Sequence, residues 1–506
     1  MQLDLKKIPF GQACSRHLLF EEADAQGKGW QKGLFLALAT ESSSLFGFGG
    51  ASRGAGFISL TPTVGGEEAA FTAEADPAKA VMRCQGGSIR MAIDGDAFFL
   101  TGEGVGLKMV VRLNRGETIT KTERGYEIIM SGNRYIFGVK KGSVDMHVGW
   151  DLVGLHSTDP VITITPEGGA MEAVFRDTTA AYELQDVAAD VDAAAAKAKA
   201  AFEEFRASLR GEDELLSYVV WMNLQPFKDG KLMFANKNGD IRVVALQQAA
   251  AALAFKKAAP AVALVSDTLK LMTPGGLTPA WAKAGSILPE AAPPLWGLAL
   301  CRVFADGGID GVEKDALAEC YALLTKAVEW WIKNRSTADG RFFYAYTHES
   351  GWDGAPVLPL GTPAISPDLA MWMALNARAL ESMAQKLGLA DEAKNWAALA
   401  EKQLGILAGL WKNGGFVCRS AIDGAEAPCP AGIGLLPILL GDAAPDAAAL
   451  AAQAEGAGKL PPLQAALIAL GSPALAAKVK AAGAEVPGAV SGAAYSPVQC
   501  ALLLAQ

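Results

Sequence analysis

The chain has 506 residues, 51 % of them hydrophobic and 20 % charged, with a formal net charge of −9. Such a composition folds around a core and is not disordered, and the length exceeds what one ordinary core serves, so two domains are expected. The acidic balance argues against nucleic acid or an anionic membrane surface as partner, whereas a neutral sugar requires no particular net charge.

The segment Met1-Gln2-Leu3-Asp4-Leu5-Lys6-Lys7 lacks the apolar core of a signal peptide, and no run reaches transmembrane length. Seven cysteines (Cys14, Cys84, Cys301, Cys320, Cys418, Cys429 and Cys500) are dispersed without a Cys-x-x-Cys pair. That pattern fits reduced thiols better than a disulfide framework or a zinc site, and a cytoplasmic protein is expected.

Residues 1–185 carry strand-like runs. Ser88–Ile93 is followed by the hairpin pair Asp94-Gly95 and then by Ala97-Phe98-Phe99-Leu100. Further runs are Leu107–Val111, Tyr126–Met130 and Tyr135–Val139, spaced as in an antiparallel β-sandwich. From Asp186 the composition turns to Ala, Lys and Glu without Gly or Pro until Gly211, which predicts a linker helix over 186–211. Residues 212–506 then read as paired helices near 213–224, 243–257, 260–272, 292–304, 313–334, 367–387, 391–410, 432–440, 446–454, 462–470, 473–482 and 494–505. Several are apolar on every side, as in Ala249-Ala250-Ala251-Ala252-Leu253-Ala254-Phe255, and must be packed all round. The expected architecture is an N-terminal antiparallel β-sandwich, a linker helix and a C-terminal (α/α)6 toroid. An α-solenoid is the alternative, although no fixed repeat is visible.

The block from His348 to Pro356, His-Glu-Ser-Gly-Trp-Asp-Gly-Ala-Pro, follows the aromatic run Phe342-Phe343-Tyr344-Ala345-Tyr346. A carboxylate among Gly and Trp residues suits glycosidic cleavage, where an acid protonates the leaving oxygen and aromatic faces hold the sugar ring. A Gly-rich turn whose acids cap helices is the plainer reading. Four histidines, only one of them in the helical half, are too few for a histidine-pair epimerase or a catalytic metal site. Neither a P-loop nor a Gly-x-Ser-x-Gly elbow is present. No cofactor and no metal are expected, and the oligomeric state is not indicated.

Glu349-Ser350-Gly351-Trp352-Asp353 resembles the Glu-Ser-Gly-aromatic-Asp segment of the inverting glycosidases of glycoside hydrolase families 63 and 37, the processing α-glucosidase, mannosylglycerate hydrolase and trehalase groups. The resemblance implies that Asp353 is the general acid, its pKa raised by burial near Trp352. It also extends to the order of sandwich, linker and toroid. Leu216–Leu224 is similar to the family's early Trp-Ser-Asn segment. Pro293-Pro294-Leu295-Trp296 is similar to its Gln-Pro-Pro helix start, with Ala292 in place of Gln. Ser366-Pro367-Asp368-Leu369 is similar to a helix start in which Asp368 is expected as an N-cap.

Three segments depart from the family. After Asn236-Lys237-Asn238, Leu246 and Gln247 stand where a sugar-holding Trp and Asp are usual. Lys459-Leu460-Pro461-Pro462-Leu463 lacks the family's Arg and aromatic. The C-terminal base segment offers only Glu485. Inversion needs a second carboxylate ~6.5–9.5 Å from the acid. The expected site is thus Asp353 and Glu485 as catalysts, with Trp352, Trp296, Gln247, Tyr346 and Glu349 around the substrate. Of these, Glu349 is expected to orient backbone rather than react. The implied function is an inverting hydrolase of α-glucosides or small glycosides. A catalytically impaired carbohydrate-binding or structural relative of that fold is the alternative.

Overall fold

The computed structural model describes residues 1–22, 33–39, 57–113, 117–123, 125–130, 132–152, 156–157, 159–179, 188–227, 231–235, 237, 242–283, 287–352, 358–458, 460–483 and 497–506. Its first part is two antiparallel sheets of eight strands each. One runs Phe10–Gly11, His17–Glu22, Gly33–Leu38, Phe57–Val64, Gly106–Val111, Val161–Thr165, Ser143–His147, with Glu67–Glu68 paired to the side of Phe57–Val64. The other runs Thr118–Thr122, Gly125–Met130, Asn133–Lys141, Ala170–Asp177, Ala97–Glu103, Gly87–Asp94, Ala80–Cys84, Phe71–Ala75.

Strand Ala97–Glu103 shows how the sheets are covered. Phe98 and Leu100 belong to the main core shared with the other sheet, whereas Ala97 and Phe99 pack with Val191 and Ala194 on the opposite face. A strand covered on both faces reads as a continuous apolar run, which is why Ala97-Phe98-Phe99-Leu100 does not alternate. Val191 and Ala194 lie on helix α1 (Val191–Ser208), the expected linker helix, whose N-cap Asp190 accepts a hydrogen bond from the Ala193 amide. Asp94 ties this helix to the sheet, since its carboxylate pairs with Lys197 at 2.7 Å and accepts from the Ala188 amide at 2.8 Å.

Helix α2 (Glu214–Met222) returns against α1 and docks on the first sheet. The buried Tyr218 hydroxyl accepts from the Gly11 amide at 2.9 Å and faces the Pro9 and Gly11 carbonyls. The helices that follow are α3 (Ala245–Ala254), α4 (Ala258–Leu269), α5 (Trp296–Gly307), α6 (Lys314–Asn334), α7 (Pro367–Leu387) and α8 (Ala390–Gly409). Next come the short α9 (Ala431–Gly434), continued by a 3-10 segment over Leu436–Ala443, then α10 (Ala447–Gly456), α11 (Pro462–Ala469), α12 (Pro473–Gly483) and α13 (Pro497–Leu504). Each corresponds to an expected helical segment.

Their packing forms a closed ring. In turn α3 packs on α5, α5 on α7, α7 on α9 and its 3-10 extension, that pair on α11, α11 on α13, and α13 again on α3. Outside it lie α4, α6, α8, α10 and α12, with α2 behind α13. A solenoid would leave its ends apart; the contact of α13 with α3 makes this an (α/α)6 toroid. Because each outer helix returns the chain, the inner helices run parallel and their N-termini gather at one end of the ring.

Close approach between inner helices is set by small residues. A Cβ placed on Gly297 would lie 2.2 Å from the Asn376 amide nitrogen, so α5 and α7 touch backbone to backbone there. The buried Asn376 side chain spans the seam: its Oδ1 accepts from the Gly297 amide at 2.9 Å, and its Nδ2 donates to the Pro294 carbonyl at 2.6 Å. Among the described residues, no helix is long and apolar enough to cross a membrane.

Candidate active site

The N-terminal end of the inner ring collects the first turns of α3, α5 and α7 and the long connection from α6 to α7. That connection is organised by one buried carboxylate. Glu349 is 1 % exposed and receives two-pronged hydrogen bonds from Arg335, with Nε at 2.9 Å and Nη2 at 2.7 Å from Oε1. Its Oε2 accepts from the Ala345 amide at 2.6 Å. Arg335 in turn lies over the Trp330 ring at 5.0 Å. The charge is fully matched, and residues 345–349 are wrapped around it.

The turn Thr347–Ser350 ends at Gly351 in the left-handed region (φ +73), where a Cβ would sit 2.8 Å from Pro293 Cγ. Both the backbone and the neighbour require glycine at this place. The Glu-Ser-Gly-Trp block is therefore held against the residues that lead into α5.

Asp368 holds the same block from the other side. It is fully buried in the first turn of α7; Oδ2 accepts from the Tyr344 hydroxyl at 3.0 Å and from the Trp352 indole N–H at 3.4 Å, and Oδ1 accepts from Ser366. Burial pushes its carboxyl above the ordinary carboxylate value, against the hydrogen bonds that pull it down. The expectation that Asp368 is an N-cap is corrected: Ser366 occupies the cap position, and Asp368 stands two residues inside the helix, joining Tyr344 to Trp352. Burial, with the charge of Asp368 second, raises the Tyr344 phenol well above its usual value.

The other expected site residues differ in burial and in partners. Gln247 is 3 % exposed in the first turn of α3, and its Nε2 has no hydrogen-bond partner among the described residues, unlike the adjacent Gln248, which bonds Phe234 through both amide atoms. Trp296, expected as a sugar platform, is 2 % exposed and lines a small cavity with Leu324, Ala327, Val328 and Trp331 of α6. Its indole fills the seam between an inner and an outer helix. Tyr346 is 62 % exposed, and Trp352 is buried. Asp353 and Glu485 lie outside the described residues, as do Asn236, Asn238 and Lys459.

Sequence reading passes over Trp281. Strand pair Val243–Val244 and Trp281–Ala282 sets this half-buried indole directly before α3, opposite Val244. Arg242 lies over its ring at 5.3 Å and Lys283 at 5.6 Å. No local signal marks it, because its position depends on pairing with a strand far away in sequence.

Residues 272–461 match the family model described as the mannosylglycerate hydrolase MGH1-like glycoside hydrolase domain. The matched stretch contains Trp296, Tyr346, Glu349, Trp352 and Asp353 but neither Gln247 nor Glu485. The resemblance to family 63 hydrolases thus holds where the Glu-Ser-Gly-Trp-Asp block lies. Among solved structures, the chain is similar to the family 63 mannosylglycerate hydrolase from Thermus thermophilus in complex with Tris and D-glycerate, at 13 % identity and a TM-score of 0.47, over 57 % of this chain and 98 % of that one. It is also similar to a bacterial glucoamylase complexed with acarbose (10 % identity, TM-score 0.44, 80 % of this chain and 68 % of that one). A family 92 glycosyl hydrolase matches at 13 % identity and a TM-score of 0.41, over 85 % of this chain and 66 % of that one. No curated protein matches the chain.

Proposed function

We propose, from the premise that residues 272–461 carry an MGH1-like glycoside hydrolase domain, that this protein hydrolyses the O-glycosidic bond of α-glucosides or other small glycosides with inversion. Asp353 is the general acid, protonating the leaving oxygen. A second carboxylate, for which Glu485 is the candidate, activates the water. Gln247 offers a sugar hydroxyl an amide N–H that has no partner among the described residues, and Tyr346 lies exposed for contact with the ring.

The observation that carries this reading is the double clamp on Trp352, the residue next to Asp353. Gly351 sits on Pro293 and the Trp352 indole on Asp368, while buried Glu349 and half-buried Arg335 form the base of the same loop. A general acid works best from a preorganised loop, and the described residues up to Trp352 are held by the buried groups Glu349, Asp368 and Pro293.

One feature favours a second reading, carbohydrate binding without turnover. Leu246 and Gln247 replace the Trp-Asp pair, which takes away a stacking face and a charge-assisted hydrogen bond. Proton NMR of the products from a panel of α-linked disaccharides and aryl α-glycosides separates the two. Hydrolysis with inversion delivers the β-anomer first. Saturable binding with no anomeric signal above the uncatalysed rate would leave only the binding reading.

A further inference from the structure

The four-stranded sheet beneath the candidate site brings two of the seven cysteines together. Strand Gly415–Ser420 pairs with Ala364–Ile365 on one side and with Glu426–Pro428 on the other. In this register Cys418 is opposite Ala427, and the Cys429 amide donates to the Phe416 carbonyl at 2.9 Å, so Cys429 is opposite Phe416. Cys418 and Cys429 are therefore diagonal neighbours on one face. Their sulfurs are 2.7 Å apart, against about 2.05 Å in a disulfide. Cys418 is buried and Cys429 is half-buried. The hydrogen bond to Cys418, then burial, pushes the Cys429 thiol far above its ordinary value.

We infer that Cys418 and Cys429 are a reversible disulfide site, closed by small-molecule disulfides. Cys429, the more accessible of the two, gives up its proton to solvent. Its small thiolate fraction attacks one sulfur of the reagent and expels a thiolate, a slow step that forms a mixed disulfide. Cys418 then gives up its proton and attacks the Cys429 sulfur, releasing the second reagent thiol. Two protein thiols and one small disulfide become one protein disulfide and two small thiols. Sequence spacing does not suggest this pair, since ten residues separate the two and only the hairpin brings them together.

The location gives the site a consequence. Cys418 shares its strand with Arg419 and Ser420, which pair with Ile365 and Ala364, the residues leading to Ser366 and Asp368. Closing the disulfide ties the hairpin Gly415–Pro428 to itself directly behind the Asp368, Tyr344 and Trp352 network. The inference does not depend on the proposed hydrolase activity.

The test is incubation of the native full-length chain with hydroxyethyl disulfide, followed by non-reducing peptide mass spectrometry and thermal unfolding. The expected result is a linked peptide pair joining Cys418 to Cys429, two hydrogens lighter than the reduced pair. Its formation raises the unfolding midpoint by a few degrees, and dithiothreitol reverses both changes. Cys418→Ser, once its own cooperative thermal unfolding shows that it folds, is expected to stop at the mixed disulfide on Cys429 with no rise in midpoint. Persistence of the mixed disulfide in the native chain, or reaction confined to other cysteines, would overturn the assignment.

Discussion

Arg335 and Glu349 meet in a two-pronged ion pair with the carboxylate 1 % exposed, and this pair holds the chain between α6 and the Gly351–Trp352 turn. Removing one partner leaves a charge inside the protein without its counterpart. Glu349→Leu and Arg335→Met are each predicted to lower unfolding free energy by about 3–5 kcal/mol, and the double variant to regain a large part of that loss. Urea denaturation of the four proteins measures it. Additive losses would mean that the two residues do not act as a pair.

Asn376 satisfies the Gly297 amide and the Pro294 carbonyl where α5 crosses α7. Asn376→Leu leaves both buried groups without their partner and is predicted to cost about 2–4 kcal/mol. Gly297→Ala forces the two backbones apart and is expected to be at least as damaging. The unfolding midpoints of both variants, read by circular dichroism, check this.

His17 lies in the sandwich core beside Phe98, with its Nε2 unpartnered among the described residues. Burial lowers its pKa from 6.5 to about 4. The folded state therefore resists protonation that the unfolded chain accepts at 6.5. The stabilisation is fully present above pH 6.5 and is lost as pH falls towards 4, by on the order of 3 kcal/mol. Unfolding free energies measured from pH 7 to 4 should decline more steeply for the native chain than for His17→Gln. Parallel curves would remove His17 as the cause.

Gln247 presents a buried donor with no partner among the described residues. A sugar hydroxyl supplies one, so Gln247→Ala is predicted to weaken glycoside binding by roughly 2–12-fold, the range of one neutral hydrogen bond. Stability should hold or rise, because an unsatisfied amide has been taken out of the interior. Titration calorimetry with the best glycoside of the panel measures the first effect. Unchanged affinity would place Gln247 outside the binding site.

Much of the fold is legible in the sequence, and the reasons are local. Ala-rich segments broken by Gly and Pro mark the toroid helices, and the Asp94-Gly95 pair marks its hairpin. The site is less legible. Glu349 and Gly351 belong to a recognisable block, but the dependence of that block on Arg335, Pro293 and Asp368 comes from three other parts of the chain. Asp368 looks like a cap because Asp favours helix starts; only its burial against Tyr344 and Trp352 shows what it holds. Trp296 looks like a sugar platform by motif, yet a large aromatic at the start of an inner helix can also fill the seam to the outer layer. Trp281 gives no sign at all, since strand pairing over long distance places it.

The most direct test of the proposed activity compares sugar release by the native chain and by Asp353→Asn on the same α-glycosides, with unfolding midpoints measured alongside. The account predicts turnover that delivers the inverted anomer in the native chain and a loss of at least 100-fold in Asp353→Asn, roughly the smallest contribution expected of general acid catalysis, at an unchanged midpoint. Equal rates in the two proteins would contradict it.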